Sequence, residues 1–372
     1  PLGAGNTASD PLFRDAAGGD YSLLSGTPCL DTGNPGLSAD PDGSRADMGA
    51  HPYQGAEVLD VLTWNFSGDG GLEPVMGATN PLALMTAATN LWSDYRDRGF
   101  LERIHRLADI VVEEDPDVLC VQGLVAAQVS PVGDVLSGAS TAPAELVFSQ
   151  ALALQERLIF LGWTHEIGGY HTEYDLEVPV VTCAGYADVS LQSTMLTLTR
   201  EASSGFTSGT YTQQLSGPLG GLGPLSTSLG WLEVSMAAGG PTLTQARLES
   251  SPSAGLQPAQ ASELAMALSG TTVLVGDFAS TPGSPAYNTF AGLGFEDAWT
   301  AFGSGDGATC CQADHLMNLG SLLSERVDWS LSNDALWRSR AASVIGERVA
   351  DRAVSGRWTS THAGLLTRWG TP

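Results

Sequence analysis

The residues of this chain whose types can do chemistry gather at the ends of apolar runs. Val58-Leu-Asp-Val-Leu-Thr-Trp-Asn65 closes on an amide, and Asp117-Val-Leu-Cys-Val-Gln-Gly123 on an amide followed by a glycine. Val273-Leu-Val-Gly-Asp-Phe-Ala279 carries Asp277, and Trp358-Thr-Ser-Thr-His-Ala-Gly364 carries His362. Asp328, in Ser324-Glu-Arg-Val-Asp-Trp329, adds a second carboxylate. Carboxylates hold hard divalent cations, and an imidazole exchanges a proton near neutral pH. Each of Asn65, Gln122, Asp277, Asp328 and His362 also has a structural reading. Asn65 and Gln122 can hydrogen-bond across strand ends, Asp277 can accept from turn amides, and Asp328 can pair with Arg326 or another arginine. A second candidate ligand set is His171, Glu173, Asp175 and Glu177, which share one face if their segment is a strand. The plainer expectation for these four is a solvated acidic edge.

The elements that must position these residues follow from pattern. From Glu57 onward strands and helices alternate, which predicts an α/β architecture over 55–372. Strands are expected at 58–66, 118–124, 189–199, 230–236, 241–248 and 272–278, and a helix over 259–268. Residues 81–112 have apolar positions at helical spacing. Arg96, Arg98, Arg103 and Arg106 mix there with Asp94, Asp97, Glu102 and Asp109, which predicts a solvated face with intrahelical pairs. Pro116 ends that run. Residues 203–229, rich in Gly, Ser and Thr, read as a long loop or a hairpin on one edge. Residues 1–54 differ: dense Gly, Pro, Asp and Asn between short apolar triplets predicts turns and very short strands.

Composition bounds the partners. The 372 residues, 42% hydrophobic, can build a sizeable core. A net charge of −25 repels polyanions, so nucleic acid is a disfavoured partner. All 16 cationic residues are arginine, which with the acidity points weakly to a saline habitat. The C-terminal arginines 338, 340, 348, 352, 357 and 368 are expected to pair with the acidic body. The cysteines Cys29, Cys120, Cys183, Cys310 and Cys311 show no CxxC pair and no zinc spacing. One or two disulfides with a thiol left over are expected, with connectivity open, and Cys120 reads as a small buried hydrophobe. No apolar run is long enough for a membrane span. Pro1 at the start predicts a processed or truncated product. Asn65-Phe-Ser67 matches a glycosylation sequon but lies in an expected core strand.

The order LTWN, DPDVLCVQG, LVGDFAS, RVDWSL and STHAG resembles the endonuclease/exonuclease/phosphatase superfamily. The stretch from Thr309-Cys-Cys-Gln312 to Trp329 is similar to a signature of secreted bacterial members, and Gly294-Phe-Glu-Asp-Ala298 to the family's GF.DA segment. The resemblance implies two β-sheets packed face to face with helices outside, and hydrolysis of phosphoesters through a divalent ion fixed on a carboxylate. Several of the implied catalytic groups are replaced. The metal-binding Glu falls on Gly123, the phosphate-contacting His on Arg247, the Asn of GDFN on Ala279 and the Asp of SDH on Thr361. Arg247 can still grip an anion but cannot act as acid or base, and His362 is expected to lack a carboxylate partner. Residues 10–50 resemble the last coil of secreted right-handed parallel β-helix proteins, and one coil needs a neighbour to cover it.

The expected function is therefore a non-catalytic, secreted or surface bacterial scaffold that assembles with itself or a protein partner, without a cofactor. The alternatives are a phosphoesterase with relocated ligands, using Mg or Mn, and a module that binds phosphate ligands without turnover.

Overall fold

The computed structural model describes residues 9–15, 20–23, 27–36, 38, 45–49, 58–66, 72–131, 145–183, 185–221, 225–236, 240–250, 255–268 and 270–371. Near the N-terminus, β1 (Phe13–Asp15) and β2 (Asp20–Leu23) pair antiparallel. The turns after them are tied by their own backbone, with Met48 N–H donating to Cys29 O at 2.9 Å and Gly33 N–H to Ala46 O at 2.8 Å. Short strands and turns are what the Gly, Pro and Asp density predicts there.

The larger unit begins with β3 (Val58–Asn65), followed by the helices α1 (Leu72–Met76), α2 (Pro81–Asp97) and α3 (Phe100–Glu114). The expected single helical run is two helices. Gly99, at φ 59°, separates them in a left-handed conformation that glycine adopts without a Cβ penalty. Asn80 caps α2 by accepting from Ala83 N–H, and α3 stops just before Pro116.

The chain continues through β4 (Val118–Pro131), β5 (Glu145–Ser149), α4 (Gln150–Phe160), β6 (Glu166–Thr182), β7 (Gly185–Thr199) and β8 (Ser203–Thr210). A small hairpin of β9 (Ser216–Gly217) and β10 (Leu225–Ser226) leads to β11 (Gly230–Met236) and β12 (Thr242–Arg247). Next come α5 (Leu256–Ala267), β13 (Val273–Asp277), α6 (Pro285–Gly292), β14 (Glu296–Asp297) and α7 (Ala298–Phe302). The last strands are β15 (Asp328–Ser332), β16 (Arg338–Ile345) and β17 (Gly364–Gly370).

The strands form two large sheets. One is ordered β16-β17-β3-β4-β7-β6 with β5 on β4, the other β14-β15-β13-β12-β11-β8. The Gly/Ser/Thr-rich stretch thus supplies an edge hairpin, with β8 antiparallel to β11. The parallel pairs β3/β4 and β12/β13 are joined through helices, as parallel neighbours must be crossed over. The architecture is an α/β two-sheet sandwich flanked by helices: the α/β character follows from the sequence pattern, and the paired sheets are what the resemblance implies.

Strand alternation divides the core. Outward residues of the first sheet, such as Leu62, Trp64, Leu119 and Val121, pack under α3 and α4, while α2 covers Leu176, Val178, Val189 and Leu191. Leu274, Trp329 and Leu331 of the second sheet pack under α5 and α6. Between the sheets lie Leu59, Val61, Val118, Cys120, Leu243, Val273, Val275 and Trp369. No helix among the described residues is long and apolar enough to cross a membrane.

Candidate functional site

Register assembles the site. In the second sheet Arg247 lies opposite Asp277 and Asp277 opposite Asp328, while in the first sheet Asn65 lies opposite Gln122. Each continues the inward series of its strand: Val61, Thr63, Asn65; Val118, Cys120, Gln122; Leu243, Gln245, Arg247; Val273, Val275, Asp277. Facing sheets then bring the two rungs together, and Asn65 Nδ2 donates to Asp277 Oδ2 at 2.7 Å. All five expected residues come to this end of the sandwich, and Asn65, Gln122, Asp277 and Asp328 are buried there.

Their partners differ from the sequence expectation in four places. Asp328 does not pair with Arg326, which instead forks onto Asp297 at 3.0 and 2.8 Å. Asp328 Oδ2 lies 2.9 Å from His362 Nδ1, so the imidazole has the carboxylate it was expected to lack. Replacement of the neighbouring position by Thr361 leaves that contact intact, because the carboxylate comes from another strand. Arg247 is no open anion grip: it is 3% exposed, donates to Glu173 Oε1 at 3.0 Å and lies 3.9 Å from Asp277 Oδ2. Glu173, finally, is not on a solvated edge but fully buried.

Two bulges explain Glu173. The β6/β7 register shifts between Thr172 and Tyr174, and the β4/β7 register shifts between Val121 and Leu124. An extra residue at 173 breaks the single-face pattern, leaving Asp175 exposed while Glu173 turns inward. There its Oε2 accepts from Gly123 N–H at 3.0 Å and from Ser193 Oγ at 2.6 Å. Gly123, at φ 70°, uses the left-handed region where a side chain is strained. His171 points the same way and its Nε2 contacts Ser228 O at 2.7 Å. Pattern reading puts Glu173 on a solvated edge because alternation assumes an unbroken strand; Gly123, a glycine inside a strand-like run, signals the bulge in β4 but not the one in β6.

The remaining site contacts are local. Asp277 Oδ1 accepts from Ala279 N–H at 2.9 Å, and Gln122 Nε2 donates to Thr63 Oγ1 at 3.0 Å. Burial pushes the Asp277 carboxyl above the usual carboxylate range against the pull of His362 and Arg247. Burial alone would lower the His362 pKa, but the Asp328 and Asp277 carboxylates outweigh it and hold it up at about 9. The ring is therefore an imidazolium at neutral pH. Asp328 Oδ1 is buried without a hydrogen-bond partner.

Arg103 corrects another expectation. It is not on a solvated helix face but 3% exposed, with Nε donating to Thr359 O at 2.8 Å and Nη2 to Phe66 O at 3.2 Å. It thereby clamps the chain leaving β3 to the chain entering β17, the segments that carry Asn65 and His362. The guanidinium also stacks on Phe66, and burial lowers its pKa. The C-terminal arginines mostly do pair as expected: Arg338 with Glu296, Arg348 with Asp351, Arg357 with Glu102 and Arg368 with Asp60. Cys310 and Cys311 are bonded to each other beside His362, and Cys120 is buried with its thiol pushed up to about 12.

A divalent ion would need several oxygen ligands here. Both Asp277 oxygens and both Glu173 oxygens already accept hydrogen bonds, Gly123 offers no side chain, and the Arg247 guanidinium holds the space between the two carboxylates. The cavity reaching Arg247, between Tyr174, Thr227, Leu229 and Glu249, measures about 40 Å³. That is room for a few waters at most. The Arg247 guanidinium therefore opposes a magnesium or manganese ion between Glu173 and Asp277, and leaves Asp328 Oδ1 as the one carboxylate oxygen of this group without a partner.

No protein-family model and no curated protein matches this chain. Among solved structures, it is similar to an endonuclease/exonuclease/phosphatase family protein from Leptotrichia buccalis, at 15% identity over 83% of this chain and 98% of that one, with a TM-score of 0.48. A second, from Beutenbergia cavernae, is 16% identical over 84% and 72% of the chains, with a TM-score of 0.48. A third, D. rerio TDP2 complexed with single-strand DNA product, is 14% identical over 85% and 100%, with a TM-score of 0.49.

Proposed function

We propose that this chain is a non-catalytic secreted or cell-surface protein that uses a phosphoesterase-like sandwich as a scaffold for assembly with itself or a protein partner. The observation that carries the reading is Arg247, whose guanidinium bonds Glu173 and sits 3.9 Å from Asp277, supplying from the chain itself the positive charge that a bound cation would bring. Three carboxylates, Glu173, Asp277 and Asp328, face two cations, Arg247 and His362, so the cluster is nearly neutralised internally. Such a cluster favours neither a further hard cation nor a phosphate dianion. The net charge of −25 speaks against nucleic acid as the partner.

The test is hydrolysis. Purified protein with a nitrophenyl phosphodiester or phosphomonoester and millimolar Mg or Mn is expected to match the buffer rate. Metal-dependent turnover that Asp277→Ala abolishes would overturn the reading. One observation favours the alternative of a phosphoesterase with relocated ligands: ligand atoms of Asp277, Asp328 and His362 lie within 4.8 Å of one another, and Asp328 Oδ1 has no partner. On that alternative the same assay gives turnover, and Asp328→Asn removes it.

A further inference from the structure

We propose that Cys310, Cys311 and His362 form a redox-gated site for zinc or a similar thiophilic divalent ion, closed while the two sulfurs are bonded and open once they are reduced. The site does not depend on whether the cleft hydrolyses anything. Both Sγ atoms and a ring nitrogen of His362 lie within 4.8 Å of one another. Ligand atoms around a tetrahedral zinc, at about 2.3 Å for sulfur and 2.0 Å for nitrogen, are separated by roughly 3.5–4 Å. Small side-chain rotations after reduction bridge that difference.

The backbone already holds the three residues together. Cys310 N–H donates to Glu325 O at 2.9 Å and Glu325 N–H donates back to Cys310 O at 2.9 Å. On its other side Cys310 bridges to His362, with Ala363 N–H donating to Thr309 O at 2.8 Å and Gln312 N–H to Thr361 O at 2.7 Å. The cysteine loop is thus laced between the strand that carries Asp328 and the segment that carries His362. Asp328 Oδ2 at 2.9 Å from Nδ1 fixes the ring and leaves Nε2 as the nitrogen free to ligate. A carboxylate behind a histidine is the outer partner that orients metal-binding imidazoles and raises their basicity. Cys311 is exposed and His362 partly so, which gives an ion and a reductant a way in. Two thiolates and an imidazole select a soft or borderline ion over magnesium, with solvent as the fourth ligand.

The chemistry balances with a dithiol as the named reductant. It breaks the Cys310–Cys311 bond, gives up two electrons and two protons, and becomes a disulfide itself. Zinc then displaces the two thiol protons and the Nε2 proton of the His362 imidazolium, and binds the two thiolates and the neutral ring. Disulfide and metal exclude one another, so the redox state sets occupancy.

The full chain, reduced by dithiothreitol and freed of it anaerobically, is titrated with Co²⁺ and compared with the oxidised chain. The reduced form is expected to take up one equivalent with a thiolate-to-cobalt charge-transfer band, and the oxidised form none. Cys311→Ser and His362→Ala, each removing a ligand, should weaken uptake by more than the roughly 10- to 100-fold that loss of an outer partner costs, while Cys183→Ser leaves it unchanged. Alkylation mapped by mass gives a second readout on the unaltered protein, with Zn²⁺ expected to protect Cys310 and Cys311. Equal uptake by oxidised and reduced chains, uptake indifferent to Cys311→Ser, or protection mapping to Cys29, Cys120 or Cys183 overturns the proposal.

Discussion

Between the two sheets, the same strands present apolar side chains at one end and ionisable ones at the other. In the dry half, Val61, Val118, Leu243 and Val273 interlock with Trp369, and the four aliphatic side chains meet their needs by contact alone. In the polar half, Arg247, Glu173, Asp277, Asp328 and His362 are nearly as buried but depend on named partners. Non-directional burial tolerates small shifts, whereas a buried charge without its partner is strongly destabilising. One half therefore stabilises the sandwich through area, and the other through a fixed set of pairings.

Removing one member of a pairing should separate the halves most clearly. Arg247→Ala strands Glu173 and is expected to lower the unfolding free energy by about 3–5 kcal/mol in urea titrations, and the double change Glu173→Gln with Arg247→Met to restore most of it. An equal loss in single and double variants would break the comparison. In the dry half, Leu243→Ala, at a fully buried position, should cost about 3 kcal/mol with no dependence on pH.

The halves should also part on alkali. His362 titrates at about 9 in the fold against an ordinary 6.5, so its contribution is complete below 6.5 and fades as pH rises through 9. Roughly 1–3 kcal/mol should disappear across that window, and His362→Gln should flatten the slope there. A wild-type stability curve without this fall would remove the Asp328–His362 pair from the account. The smallest effect expected is Gly123→Ala, about 1–2 kcal/mol, for a methyl placed at φ 70°.

The dry half is what the sequence makes readable. Runs such as Val58–Asn65 and Val273–Asp277 are short, apolar and buried almost throughout, which marks them as core strands, and helical spacing marks 81–112 and 259–268, while α4 and α6 go unread. The polar half is readable only as residue types. Asp277 and His362 announce themselves at strand ends, but Asp328 reaches His362 from 34 residues away, and Arg247 reaches Glu173 across 74. Neither separation carries a period, and a one-residue bulge reverses the face on which Glu173 falls. Arg103 was misplaced for a related reason. Its neighbours suggest surface pairs, while its guanidinium answers two carbonyls, Phe66 and Thr359, the second of them 256 residues on.

The first sheet has a consequence for synthesis. Its central strand β3 pairs on one side with β17, Leu365 opposite Thr63 and Gly370 opposite Val58. A chain emerging from the ribosome therefore exposes one edge of β3 until some 300 residues more have been made, roughly 15 s to a minute at ordinary elongation rates. Over that interval Asn65 waits for Asp277, and the clamp from Arg103 waits for Thr359. The polar end of the sandwich is completed only when His362 arrives, and the dry end a few residues later when Trp369 closes it, so a factor that shields an open strand edge during translation acts on both.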